Sequence, residues 1–148
     1  MIAGNARSGA TWVPVYVSYG GNNRTQMLRI PGPGRIENRA IDGSCNPYLA
    51  AAALLAAGLD VIEWGLAAGP AEGRNMYELG VREREEAGIE VLPAALRDAV
   101  EALERDDVLC AALGDTYART YISSKLEEWR SYHDAVAQWE IDRYLEAY

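Results

Sequence analysis

The sequence predicts an α+β fold in which antiparallel strands come first and helices follow. Residues 13 to 41 alternate apolar and polar side chains between glycine- and proline-containing turns, as half-buried strands do. Beyond residue 46 the apolar residues recur at helical spacing, starting with the run PYLAAAALLAAGLDVIEW. The change of period falls at Asn46-Pro47, a helix cap followed by the residue whose missing N–H costs nothing at the first helical position.

Each element follows from local chemistry. Val13 to Tyr19 sets Val13, Val15, Val17 and Tyr19 on one face and Pro14, Tyr16 and Ser18 on the other, strand-like despite the proline. Gly20-Gly21-Asn22 ends it. Thr25 to Ile30 and Arg35 to Ile41 are the next two strands, joined through the Pro31-Gly32-Pro33-Gly34 turn, so a three-stranded antiparallel sheet is expected. The first helix runs from Pro47 to about Leu59 or Trp64. It is apolar nearly all round and is therefore expected to be buried between other elements.

Gly69-Pro70 and Glu72-Gly73 mark a loop, and Asn75-Met76-Tyr77 begins an irregular segment before Pro93. Within it, Arg82 to Glu86 reads as a solvated, mobile surface. Pro93 starts a helix with Leu96, Val100 and Leu103 in its apolar positions, and Val108 to Leu113 forms a shorter one stopped by Gly114. Asp115 to Tyr148 carries Tyr117, Tyr121, Leu126, Trp129, Val136, Trp139 and Tyr144 near helical spacing. That stripe reads as packing, because too few basic residues are interleaved for a base-stacking surface.

With 148 residues, 49% of them hydrophobic, the chain is read as a single partial domain spanning residues 1–148, with no second domain. Its net charge of -8 conceals an asymmetry. Residues 1 to 42 carry five arginines against Glu37 and Asp42, whereas the remainder carries nine basic and twenty acidic side chains. Anion binding is therefore expected to be local, and nucleic acid is an unsuitable partner. Cys45 and Cys110 match no zinc or redox spacing, which favours a reduced, cytoplasmic setting. The longest apolar segment, Tyr48 to Ala57, is far shorter than the ~20 residues of a membrane span, so no membrane association is expected.

The stretch from Asn22 to Tyr48 sets four arginines around one glutamate. On a strand, Arg35, Glu37 and Arg39 fall at i, i+2 and i+4 and share a face. Arg24 and Arg29 precede them on a second extended segment, and antiparallel pairing would bring three or four guanidinium groups into one small volume. Their planar forks suit phosphate or carboxylate, and Glu37 offers a hard oxygen to a divalent cation already bridged to phosphates. By pattern alone, such alternation is more often a solvated face.

The order of motifs is more specific than the pattern. N-N-R, R-I-P, R-I-E-x-R, D-G and N-P-Y-L, followed by the alanine- and leucine-rich run ending A-A-G-L-D, resembles the carboxyl-terminal part of the glutamine synthetase catalytic domain. The opening Ser8 to Trp12 (S-G-A-T-W) and S-Y-G-G-N-N-R are most similar to the branch that includes gamma-glutamylmethylamide synthetases. Leu92-Pro93, Leu113-Gly114, Tyr121, Lys125, Glu128-Trp129, Tyr132, Trp139-Glu140 and Tyr144 look like the family's final helices.

The resemblance implies roles residue by residue. Arg24 matches the arginine that reaches the transferring phosphoryl group and the bound glutamate. Arg29 and Arg35 match arginines on the nucleotide phosphates, so Arg24, Arg29 and Arg35 form the ATP-binding set. Glu37 matches a Mg2+ or Mn2+ ligand, and Arg39 the arginine holding the substrate carboxylate. The implied chemistry is activation of glutamate by ATP to a gamma-glutamyl phosphate, then attack by ammonia or a primary amine. In the family, the paired-glutamate metal strand, a metal-binding histidine and a flap glutamate come from the preceding part of the enzyme, and the active site lies between neighbouring subunits of a ring-shaped oligomer.

Half of such a site is encoded here, so activity from this chain alone is not expected. It reads as the carboxyl-terminal half of a split enzyme with a protein partner carrying the amino-terminal half, as a fragment of a longer enzyme, or as a non-catalytic remnant that binds a related full-length enzyme. A self-sufficient arginine-lined anion-binding module is the reading from another class. His133, Ser123, Ser124 and Lys125 are read as surface or structural residues, and Tyr77, in N-M-Y-E-L-G, as unmodified although the resemblance puts it where some bacterial family members carry a regulatory tyrosine.

Overall fold

The computed structural model describes residues 13–145. The Ser8 to Trp12 motif and the last residues of the expected terminal helix, 146–148, lie outside them. Among the described residues the order is three short strands and then six helices, the α+β arrangement read from the sequence. Backbone packing divides the chain into two compact units, Met1–Ala94 and Ala95–Tyr148.

In the first unit, β1 (Tyr19–Gly20), β2 (Leu28–Gly32) and β3 (Arg35–Asn38) form a sheet in the order β1-β2-β3. β2 and β3 are antiparallel, with Arg29 opposite Glu37 and Gly32 opposite Arg35, across a turn that Gly34 closes at φ 73. Only glycine adopts that left-handed conformation without a steric cost. β1, however, runs parallel to β2, pairing Tyr19 with Leu28 and Gly20 with Arg29. The expected all-antiparallel sheet is thus corrected to a mixed one. The cause is the intervening segment: Gln26 N donates to Asn23 O at 3.4 Å, and the turn carries the chain back to the end it left.

The expected strand Val13 to Tyr19 is also shorter than its alternation suggests. Tyr16 makes an isolated antiparallel bridge to Val91, flanked by Val17 N to Glu90 O at 2.9 Å and Leu92 N to Val15 O at 2.8 Å. Its partner is therefore residues 90–92, and the Pro14 next to the bridge has no N–H with which to extend the ladder. Thr25 and Gln26, expected on the second strand, instead lie in the turn before it and are almost wholly buried with Met76.

α1 (Pro47–Glu63) begins as expected: Asn46 Oδ1 accepts from Tyr48 N at 3.0 Å and Leu49 N at 3.4 Å. It ends at Trp64, where Gly65 (φ 61) lets Gly65 N reach Ile62 O and Leu66 N reach Val61 O, the paired bonds of a Schellman ending. The expectation of burial is not met. None of its residues is buried, and it packs on no other strand or helix among the described residues. An all-round apolar helix specifies an apolar environment, and the described strands and helices of its own unit do not supply one.

α2 (Val81–Glu86) turns the charged run into a short exposed helix, started by Gly80 N donating to Glu83 Oε2 at 2.8 Å and carrying an Arg82–Glu86 pair at 2.8 Å. In the second unit, α3 (Leu96–Glu104), α4 (Asp107–Leu113) and α5 (Asp115–Asp134) pack around Val100, Ala118 and Ile122. α3 starts at Leu96 rather than Pro93, because Asp98 Oδ2 accepts from Ala95 N at 3.2 Å and sets the cap there. The last segment, with its helical spacing, forms α5 and, after a break at 135–137, α6 (Gln138–Tyr144). The aromatic stripe packs only in part: Tyr121, Leu126 and Trp129 are half-buried and Tyr117, Val136, Trp139 and Tyr144 exposed, while Ala118 and Ile122 are the buried residues of α5. Both cysteines are free, and no described helix is long and apolar enough to cross a membrane.

Candidate functional site

The β2–β3 register decides the site. Because Arg29 lies directly opposite Glu37, its Nη1 donates to Glu37 Oε2 at 2.7 Å, while Arg35 Nη2 stands 3.8 Å from Oε1. Glu37 is thus held between two guanidinium groups. Its carboxyl lies below the usual carboxylate range, first through the hydrogen bond from Arg29, then through the charges of Arg29, Arg35 and Arg39, which outweigh partial desolvation. The two arginines differ in access: the Arg29 side chain is 13% exposed and that of Arg35 68%. Arg29 is an anchored member of the cluster, and Arg35 a solvent-facing one.

Arg29 is fixed further by Asn22, whose Oδ1 accepts from Nη2. Its Nε is buried without a hydrogen-bond partner among the described residues. Arg39 lies just past the end of β3, where its backbone N still reaches Met27 O at 2.8 Å and its Nε donates to Arg24 O at 3.2 Å. Arg24 itself is exposed and joins the cluster through that carbonyl; its guanidinium meets no acceptor among the described residues. Of the residues singled out from sequence, Arg29 and Arg35 each pair with Glu37, Arg39 acts on Glu37 by its charge, and Arg24 borders them through its carbonyl on Arg39.

A second set of polar residues supports the first and was not singled out from the sequence. Asn23 Oδ1 accepts from Thr25 N and Oγ1, Asn23 Nδ2 donates to Arg74 O, Thr25 Oγ1 accepts from Met76 N, and Gln26 Nε2 donates to Glu72 O. Glu72 in turn grips Arg74, which holds its carboxyl down at about 2. The Asn-x-Thr spacing was a usable signal for a side-chain-capped turn. Nothing local in the sequence pointed to the loop around residue 72 as its partner.

Chemically, the cluster offers anion-binding forks and one carboxylate. Glu37 Oε1 is only loosely paired, so Glu37 fits as one oxygen ligand for a hard divalent cation. No group of three or more histidine, cysteine, aspartate or glutamate residues that could hold a metal ion occurs among the described residues, so the other ligands of such a site would come from elsewhere. Tyr77 Oη donates to Val13 O at 2.6 Å, and His133 sits on α5 against Trp129 and Tyr132.

Comparison with known proteins agrees on one family. The family model described as glutamine synthetase, catalytic domain, matches residues 8–144. Glutamate–methylamine ligase of Methyloversatilis universalis is 44% identical over 146 residues, 99% of this chain and 33% of that protein. Glutamine synthetase of Thermus thermophilus is 45% identical over 139 residues, 91% of this chain and 31% of that protein. The solved structure of a GmaS/ADP complex (conformation 1) superimposes with a TM-score of 0.85 at 43% identity, covering 99% of this chain and 34% of that one. The chain spans about a third of the length of the curated relatives it matches.

Proposed function

Because the chain belongs to the glutamine synthetase family, matching the carboxyl-terminal part of its catalytic domain, we propose that it is the carboxyl-terminal half of an ATP-dependent ligase joining glutamate to ammonia or a primary amine. In this reading it is one partial catalytic domain, completed by an amino-terminal half on another polypeptide within a ring-shaped oligomer. The observation that carries it is the Arg29–Glu37–Arg35 cluster, three charged side chains in contact across one hairpin at positions that match the family's R-I-P and R-I-E-x-R motifs. The apolar, uncovered α1 supports a protein partner, and the single carboxylate of the cluster supports a metal site shared with that partner.

Each residue then has a task that its placement allows. Arg35, largely solvent-facing, would bind the nucleotide phosphates; Arg29, anchored by Asn22 and Glu37, would hold the inner edge of that phosphate site. Exposed Arg24 would meet the transferring phosphoryl group, where negative charge spreads over three oxygens in the transition state. Arg39 would hold the carboxylate of glutamate. Mg2+ or Mn2+, with Glu37 as one ligand, would supply charge neutralisation at the phosphates.

The test is Glu37→Ala in the assembled enzyme, with Mn2+ binding followed by its paramagnetic resonance and ATP binding by calorimetry. Both affinities are expected to fall together with the fold intact. Unchanged metal binding would remove Glu37 from the metal site, and loss of stability in its place would make it only the counter-charge of the arginines.

A further inference from the structure

Residues Asn23 and Thr25 flank Arg24, and neither side chain is free. Asn23 Oδ1 accepts from Thr25 N at 2.9 Å and from Thr25 Oγ1 at 2.8 Å, so one oxygen closes a turn over Arg24. The same two residues fasten that turn to a distant loop. Asn23 Nδ2 donates to Arg74 O at 2.9 Å, and Met76 N donates to Thr25 Oγ1 at 3.1 Å. Behind them Gln26, wholly buried, donates Nε2 to Glu72 O at 3.0 Å and Arg74 O at 3.3 Å, while its Oε1 is buried without a partner among the described residues.

The loop is itself braced. Glu72 N donates to Tyr19 O at 2.8 Å, the Glu72 carboxylate closes on Arg74, and β1 comes so near that a Cβ on Gly20 would sit 2.3 Å from Glu72 O. Filling this interior needs no hydroxyl; valine has the shape of threonine without its bonding groups, and buried polar atoms are tolerated only when paired. What the polar pairing adds is direction: the backbone of Arg24 is held from both sides against one loop, its carbonyl is taken by Arg39 Nε, and its side chain alone is left facing solvent.

We propose that Asn23 and Thr25 are positioning residues that register Arg24 against the Glu72–Met76 loop, making that loop part of the phosphoryl-facing side of the site. The inference rests on the proposed role of Arg24. Preorganised charge gains its catalytic value from not having to be placed at the moment of reaction, so loosening this turn acts on turnover more than on ATP affinity.

Two measurements test it separately from the ligase reading. On the 148-residue chain, amide hydrogen exchange is followed in the wild type, Thr25→Val and Thr25→Ser. We expect exchange at Met76, whose N–H loses its acceptor, and in the turn at residues 25 and 26 to quicken about ten-fold or more in Thr25→Val, with the Arg29 and Glu37 ladder still protected and Thr25→Ser close to wild type. In the assembled enzyme, Thr25→Val is expected to lower kcat about ten-fold with the KM for ATP within about two-fold, and Thr25→Ser to restore it. Unchanged exchange, unchanged kcat, or an equal loss in Thr25→Ser would overturn the proposal. If Thr25→Val loses the ladder's protection, Asn23→Ala takes its place under the same criteria, without a serine control. An assembly that makes no product even as wild type refutes the ligase reading, and the exchange result then decides alone whether the loop holds Arg24.

Discussion

Thr25 and Gln26 are polar and at most 1% exposed, whereas Leu55, Leu59 and Ile62 of α1 are apolar and 67%, 64% and 76% exposed. The first pair sits under the arginine cluster, with its hydrogen bonds made to a loop of the same chain. The second set belongs to a helix that is well capped at both ends and packs on no other strand or helix among the described residues. The arginine platform therefore draws its order from within, while α1 holds its shape by propensity and caps and leaves its apolar surface for something else to cover. One region is ordered by contacts within its own unit, and the other leaves its apolar surface exposed among the described residues.

That contrast breaks most visibly at Arg24, the exposed residue that the finished platform presents. In the assembled enzyme Arg24→Ala is expected to lower turnover by about 100- to 1,000-fold with little change in the KM for ATP. Arg35→Ala is expected to act mainly on ATP affinity. Steady-state kinetics at varied ATP separate the two, and an Arg24 effect confined to KM would place that side chain in ground-state binding instead.

The platform's dependence on its own close contacts is exposed by Gly20→Ala. The added methyl meets backbone Glu72 O, which cannot swing away as a side-chain tip would, so a loss of about 1–3 kcal/mol is expected in urea unfolding of the chain. On α1 the outcome reverses. Leu55→Glu with Ile62→Glu is expected to leave the chain's own unfolding within about 0.5 kcal/mol of wild type, yet to abolish co-purification with the amino-terminal half. A large loss of stability there would show that α1 is covered by this chain after all.

The smallest effect is on pH dependence. Glu72 is depressed to about 2 by Arg74, so its contribution to stability is present above the ordinary carboxylate range and is lost as pH falls towards 2. Glu72→Gln is expected to flatten the fall of the urea midpoint across that window, only slightly, since Arg74 is half exposed and the pair is screened.

The same contrast explains what could be read from the sequence. Asn46-Pro47, Gly114 and the alternation around Glu37 act through neighbours, and the helix start, the helix stop and the Arg29–Glu37 hairpin all follow from them. The environment of α1 did not follow, because an apolar pattern states what a helix needs and not whether the chain provides it. Nor did the parallel pairing of β1, which the turn at residues 23–26 decides, or the reach of Asn23, Thr25 and Gln26 to residues 72–76, which depends on contacts between segments far apart in sequence. The motif order identified the family where periodicity alone favoured a solvated charged face.

The most direct test of a half-site completed by a partner is formation of gamma-glutamyl amide from glutamate, ATP and either ammonia or methylamine. It is run with the purified 148-residue chain alone, with the amino-terminal half alone, and with the two co-expressed. No product is expected from either part, and ATP-dependent product from the pair. Product from this chain alone, free of contaminating glutamine synthetase, would contradict the half-site and show that Glu37 and the arginines suffice.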